Sequence, residues 1–503
     1  MAPKQKNPRV LIVTPEVTYL PDRMGNLANF LTAKAGGLAD VSAALISALF
    51  NQGVDVHVAL PDYRAIFKDR LAPYLRKEQR TLRQVMPDDR IHLAEDRAFF
   101  YLNHVYSNYG VENTRISLAF QREVINNIVP RVRPDLIHCN DWMTGLIPAM
   151  AREMGIPCLF TIHNIHTVKT SLSHIEDRGI DAAYFWHHLY FSDFATAYEA
   201  VRETNPVDFL VSGVFAAHFV NTVSRHFLDE IVQGRHSFME DNLRQQLTNK
   251  AHAECAAGIL NAPDPGFRPD RDEYLKFTYG PDDHGIAKQK NKADLQQMLG
   301  LEINPDVPLF FWPSRLDPVQ KGCQLLADIF YTVISKYWED GLQVVFVANG
   351  DYQSVFRNIV NRHQFHHRVA VCDFSERLEH LAYGASDFVL MPSRFEPCGL
   401  PQMIGQVYGA LPVAHDTGGI HDTVAHLDVP KNSGSGFLFE THDAGGLMWA
   451  IDQAMDFFRR PAAVRAKQVS RIMRSGLDVF THEYNARQYI ELYEKMLERP
   501  LIP

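Results

Sequence analysis

Two hydrophobic rhythms alternate along this chain. Short, nearly continuous apolar runs occur at Val10–Val13, Val54–Leu60, Leu136–His138, Leu159–Ile162 and Phe219–Val223. Between them lie segments with helical spacing, such as Leu38–Phe50, where Leu38, Val41, Leu45 and Leu49 form one stripe. Runs buried on both faces that alternate with amphipathic helices predict βαβ units and a parallel sheet. A second series begins after the proline-rich stretch Asn261–Pro269, whose three prolines deny a continuous helix. It contributes Pro308–Pro313, Val344–Val347, Ala370–Cys372, Phe388–Met391 and Leu411–Ala414 as strands, with Cys323–Tyr337 as an intervening helix. The last segment, Asn485–Leu497, puts Tyr489, Leu492, Tyr493 and Met496 on one helical face. The pattern predicts an α/β protein with two similar halves facing a cleft, and a hinge at Asn261–Pro269. The domains are expected at residues 1–262 and 263–475, with a closing helical segment at 476–503.

Composition narrows the function. A chain of 503 residues exceeds what a single core supports, which again favours two domains. Hydrophobic content of 46% and charged content of 22% are those of a globular protein. A net charge of −9 argues against nucleic-acid partners, because a phosphate backbone demands a basic face. The six cysteines are scattered with no CxxC pair and read as reduced thiols. The first apolar run is four residues, too short for a signal or a membrane span, so a cytoplasmic protein with no membrane partner is expected.

The chemistry concentrates after strand ends. Glu396 stands in Ser393-Arg-Phe-Glu-Pro-Cys-Gly-Leu400, just beyond the run Phe388–Met391, and Thr417-Gly-Gly419 follows the run ending at Ala414. An acid suits sugar hydroxyls, and glycine amides suit phosphate, at the carboxyl edge of a parallel sheet. Arg315 and Lys321, in Ser314-Arg-Leu-Asp-Pro-Val-Gln-Lys-Gly322, are the cationic pair best placed for a diphosphate. Lys34-Ala-Gly-Gly37 precedes the first long helix, where Gly36 and Gly37 would let an anion approach the backbone. Asp141-Trp142 follows Leu136–His138, with a carboxylate to grip hydroxyls and an indole to stack on a pyranose. The histidine groups His187/His188 and His363/His366/His367 match no closed ligand spacing, so neither a metal nor another cofactor is expected.

These motifs, in this order, resemble the bacterial glycogen and plant starch synthases. The Glu-Pro-Cys-Gly-Leu and Thr-Gly-Gly-x-x-Asp-Thr-Val signatures carry the likeness, and Cys398 points to that narrower group within sugar-nucleotide transferases. The resemblance implies a GT-B arrangement of two Rossmann-like domains. It also implies retaining transfer of glucose from ADP-glucose to the 4-hydroxyl of an α-1,4-glucan such as glycogen. A related enzyme using UDP-glucose or another acceptor, or a weakly catalytic glucan-binding relative, is the alternative. It assigns His163, in Thr161-Ile-His-Asn164, to the reacting glucosyl group, with Asp141 as a sugar or acceptor contact. Arg315, Lys321 and the Gly418–Gly419 amides fall to the diphosphate, and Glu396 to the sugar. Cys398, Gly399 and Thr417 complete the signatures, Phe374 lies near the base, and Asn261 near the sugar. The chain departs from the family at two places. The path from Glu16 to Lys34 is longer, and one extra residue separates Arg315 from Lys321.

Overall fold

The computed structural model describes residues 7–25, 27–35, 37–67, 90–107 and 109–502. The chain divides into two compact units, Met1–Asn261 with His482–Pro503, and Ala262–Thr481. In the first, β1 (Arg9–Val13), β2 (Asp55–Pro61), β3 (Ile91–Ala94), β4 (Leu136–Asn140), β5 (Cys158–Ile162), β6 (Phe219–Thr222) and β7 (Ala256–Gly258) form one sheet. Its order is β3-β2-β1-β4-β5-β6-β7, and every pairing is parallel. The chain winds outward from β1 toward β3, then returns to the other side of β1 through β4. That reversal leaves a crevice beyond the carboxyl ends of β1 and β4, where open parallel sheets bind ligands.

The second unit repeats the scheme with β8 (Leu309–Trp312), β9 (Gln343–Val347), β10 (Val369–Cys372), β11 (Phe388–Met391), β12 (Leu411–His415) and β13 (Phe437–Phe439). The order β10-β9-β8-β11-β12-β13 places its reversal between β8 and β11. Alternation along these strands is plain. Phe310, Trp312, Phe346, Phe388 and Val413 enter one core, while Phe311, Val345, Val389 and Ala414 enter another on the opposite face. A sheet covered on both faces needs apolar residues at every position, which is why its strands read as unbroken runs.

The predicted central strands and the helices Gly37–Asn51 and Cys323–Lys336 are present within a residue or two. Among the described residues, three strands of these two sheets escaped the sequence reading, namely β3, β7 and β13, and all lie at sheet edges. Edge strands bury less, and Ala256-Ala-Gly258 has almost no strand propensity of its own. The last helix, His482–Leu497, belongs to the first unit. Tyr493 Oη lies 2.7 Å from His138 Nδ1, and Asn221 Nδ2 donates to Tyr489 Oη at 3.0 Å. Burial pushes His138 down to about 3, so a neutral ring joins this helix to β4.

Candidate active site

In the first unit the crevice is lined by the residues that follow β1, β4 and β5. Glu16 is 2% exposed, and its two oxygens accept from Ala35 N at 2.6 Å and Tyr106 Oη at 3.1 Å. Val17 and Ala33 form an antiparallel bridge with bonds of 2.9 and 2.8 Å. That bridge pinches off the extra residues, whose Leu20, Met24 and Leu31 join the core. Lys34 and Ala35 therefore remain beside Glu16 despite the longer path between them. Lys34 Nζ sits 2.8 Å from the Asp40 carboxylate, Gly37 opens the helix, and Gly36 lies outside the described residues. Among the described residues, no atom beyond its chain neighbours and its own helix backbone lies within 4 Å of where a Cβ on Gly37 would stand.

Asp141 has φ 56° and ψ −178°, a conformation costly for a residue with a Cβ. Its backbone N–H donates to Thr161 O at 3.0 Å, and its Oδ1 accepts from His163 N at 2.7 Å and Asn164 N at 3.3 Å. Burial raises its carboxyl to about 7 against those two stabilising amides, with nearby Glu16 adding to the rise. The His163 ring, lowered to about 4 by desolvation, is neutral at physiological pH. Asn140 Nδ2 donates to Val13 O, leaving its Oδ1 to accept from His163 Nε2 at 3.0 Å. The Nδ1 of His163 is then an acceptor. The indole of Trp142 is not the sugar platform its position suggested. It is 5% exposed, with its ring centroid 6.3 Å from that of Tyr106 and 5.4 Å from that of His166. A large apolar ring beside a strand end is drawn into the core unless something holds it out.

In the second unit Lys321 Nζ lies 2.6 Å from Glu396 Oε2, with the two side chains 13% and 7% exposed. Ser393 Oγ donates to the same oxygen at 3.0 Å. The extra residue between Arg315 and Lys321 is absorbed in a turn. Asp317 Oδ1 accepts from Val319 N and Gln320 N, and Lys321 N donates to Asp317 O at 3.0 Å. Gly322 follows at φ +69°, and a Cβ there would lie 1.9 Å from Pro392 O. That contact fixes the β8 turn against the Glu396 loop. Arg315 is exposed and, among the described residues, makes no ion pair with a carboxylate. The two cations expected to act together thus differ: Lys321 is held by Glu396, and Arg315 is left to solvent.

Gly419 does not take the phosphate-facing role expected of the glycine pair. Gly419 N donates to Glu396 O at 2.9 Å, so that amide is already engaged within the protein and is not presented to phosphate. A Cβ on Gly419 would lie 1.9 Å from Cys398 O, so close packing of the two signature loops requires glycine there. Gly418, at φ +46°, opens the short helix Gly418–Thr423 behind the buried Thr417. Cys398 is buried, Gly399 takes φ +72°, and Gln402 Nε2 holds both of their carbonyls at 3.0 and 2.8 Å. These residues shape the loop that presents Glu396. Asn349, just beyond β9, ties neighbouring loops. Its carbonyl accepts from Leu316 N and its Oδ1 from Phe374 N, which leaves the Phe374 ring 52% exposed. Asn261 is half-buried at the end of the first unit.

Two families match in succession: the starch synthase catalytic domain over residues 9–246, and glycosyl transferases group 1 over residues 307–456. A glycogen synthase from Cellvibrio japonicus is 32% identical over 92% of this chain and 96% of that protein. The chain belongs to the glycogen synthase family. One from Moorella thermoacetica is 31% identical over 98% of this chain and 97% of its own length. Among solved structures, the catalytic domain of starch synthase IV from Arabidopsis thaliana, bound to ADP and acarbose, aligns at TM-score 0.76. It is 25% identical, covering 98% of this chain and 100% of that one. The fold is therefore of the GT-B class, and the chain is a hexosyltransferase, a glycogen synthase.

Within this glycogen synthase, sequence reasoning passed over Glu16, Tyr106, Asn140 and Ser393 as site residues. Glu16 carried a usable signal, an acid directly after the first strand on one side of the sheet's reversal. Tyr106 carried none, since its loop has no motif and only folding brings it to Glu16.

Asp141 gives a pH-dependent expectation. Its carboxyl is 3.8 ordinarily and about 7 here, so the folded state holds the proton more tightly. The stabilisation is complete below about pH 3.8 and is lost as pH rises through about 7. Asp141→Asn keeps the acceptor for His163 N and Asn164 N without the buried charge. Thermal melts should show the variant matching wild type near pH 4 and exceeding it at pH 8 by up to roughly 4 kcal/mol. Equal stability at both values would mean that burial is not what raises this carboxyl.

Proposed function

We propose that this glycogen synthase uses ADP-glucose and extends the non-reducing 4-hydroxyl of an α-1,4-glucan with retention of configuration. The observation that carries this reading is the Lys321–Glu396 pair, nearly buried at the reversal point of the second sheet. One N–H of the ammonium is used by Glu396, which leaves two for phosphate oxygens of a departing nucleoside diphosphate. Arg315, exposed on the same turn, adds charge that stabilises the leaving group. Glu396 spends Oε2 on Lys321 and Ser393, leaving Oε1 to accept from sugar hydroxyls. The half-exposed Phe374 is a stacking surface for the base. In the first unit, neutral His163 and the strained Asp141 orient the glucosyl group, and Lys34 with Gly37 provides a second anion-tolerant edge.

As the glucose–phosphate bond breaks, an oxocarbenium-like centre forms and its electrons leave with the diphosphate. The acceptor hydroxyl adds on the face the diphosphate vacates, and the phosphate takes the hydroxyl proton. The donor's nucleotide is read as ADP because the starch synthase IV domain, aligned over 98% of this chain, was solved with ADP. Retention in a cytoplasmic setting follows the same family reading.

Incubation with glycogen and either ADP-glucose or UDP-glucose, following nucleoside diphosphate release, tests this. Faster release from ADP-glucose, undiminished by EDTA, is expected. A preference for UDP-glucose would reassign the donor, and no release from either would mark a glucan-binding relative.

A further inference from the structure

We infer that Glu153, His187 and His188 form a binding site for one divalent transition-metal ion of the zinc class, on the first unit and apart from the candidate active site. Glu153 ends the helix Ile147–Glu153, and the two histidines lie in the single 3₁₀ turn Trp186–His188. Their spacing along the chain hides the group, and folding assembles it. Each residue offers one ligand atom, all within 4.8 Å of one another. Glu153 Oε1 is 3.5 Å from His187 Nε2 and 3.2 Å from His188 Nε2. Bonds of ~2.0–2.1 Å to a tetrahedral zinc ion place neighbouring ligand atoms about 3.4 Å apart, so both measured edges suit one ion.

The alternative, a carboxylate paired with protonated histidines, fits less well. The two rings have centroids 4.1 Å apart, so two imidazolium charges would repel across that gap. A single cation bound by two neutral rings and one carboxylate uses all three groups without that conflict. The frame is rigid where it must be. Phe185 and Leu189 on either side of the turn are buried, and Trp186 packs against Phe191 and Tyr198. On the helix, Arg152 is occupied with Ala216 O. Its positive charge close by favours moderate affinity over very tight binding. The ligand side chains are 28–51% exposed, so water can complete the coordination shell.

The position argues against a part in sugar transfer. Glu153 precedes the start of β5, and His163 follows its end. A strand of this length separates the two edges by about 13 Å. The ion would instead clamp the 182–188 segment onto the helix before β5.

The test uses full-length protein stripped of metal, titrated with Zn²⁺ by calorimetry and with Co²⁺ by visible absorption. One equivalent should bind, with micromolar affinity and the intense absorption of tetrahedral Co²⁺, and Zn²⁺ should raise the melting temperature. Glu153→Gln and His188→Gln should each weaken binding about ten-fold or more and abolish the thermal shift. Both variants should keep wild-type circular dichroism and basal transferase activity, which rules out misfolding as the cause. Absence of binding to wild-type protein, or equal binding by wild type and both variants, would overturn the site.

Discussion

Replacing Lys321 with alanine should lower kcat by about two or more orders of magnitude, the loss typical of a preorganised group that stabilises transition-state charge. The structure adds a second consequence. Lys321 Nζ is 2.6 Å from Glu396 Oε2, and both side chains are largely shielded from water. Its removal leaves a nearly buried carboxylate with, among the described residues, Ser393 as the one remaining donor on that oxygen. Breaking such a pair costs about 3–5 kcal/mol when both partners are fully buried, and slight exposure brings the figure here toward the lower end. The two effects separate in the double variant Lys321→Ala/Glu396→Gln, which has no orphaned charge. It should recover most of the lost melting temperature and none of the lost turnover. Near-native kcat for Lys321→Ala in steady-state assays would remove the lysine from the mechanism, leaving a purely structural ion pair.

For Glu396→Gln the expected result is an intact fold with turnover reduced by about two orders of magnitude. The amide oxygen can still accept from Lys321 and Ser393, and the backbone carbonyl still accepts from Gly419 N at 2.9 Å. What changes is the second carboxylate oxygen, which becomes an N–H donor and can no longer accept a sugar hydroxyl. The melting temperature should stay within a few degrees of wild type while kcat falls. If kcat and KM both remain close to wild type, Glu396 only shapes its loop, and the sugar-binding role belongs elsewhere.

Much of the architecture was legible because it depends on local pattern. Phe388–Met391 and Val344–Val347 are apolar at nearly every position since each side chain enters one of two cores on opposite faces of the sheet. Strand ends followed by glycine and charge marked the carboxyl edges of the sheets, so Asp141, Lys321 and Glu396 were candidates from pattern, and His163 from the family resemblance. Edge strands such as Ala256–Gly258 could not be, because the sheet imposes their conformation and their own residues do not.

What only the tertiary structure decided is how each named group is occupied. Sequence suggested that Lys321 would join Arg315, yet a turn capped by Asp317 and the contact of Gly322 with Pro392 direct it to Glu396. It suggested that the amide of Gly419 was open to phosphate, yet that amide bonds Glu396 O, and its missing side chain makes room for Cys398. The path from Glu16 to Lys34 is longer than the family's and sequence did not give its course, which the Val17–Ala33 bridge closes off. Chain order determines which residue types reach a strand end. Hydrogen bonds and close contacts between segments distant in sequence determine which of them remain available for chemistry, and no local pattern encodes those distances.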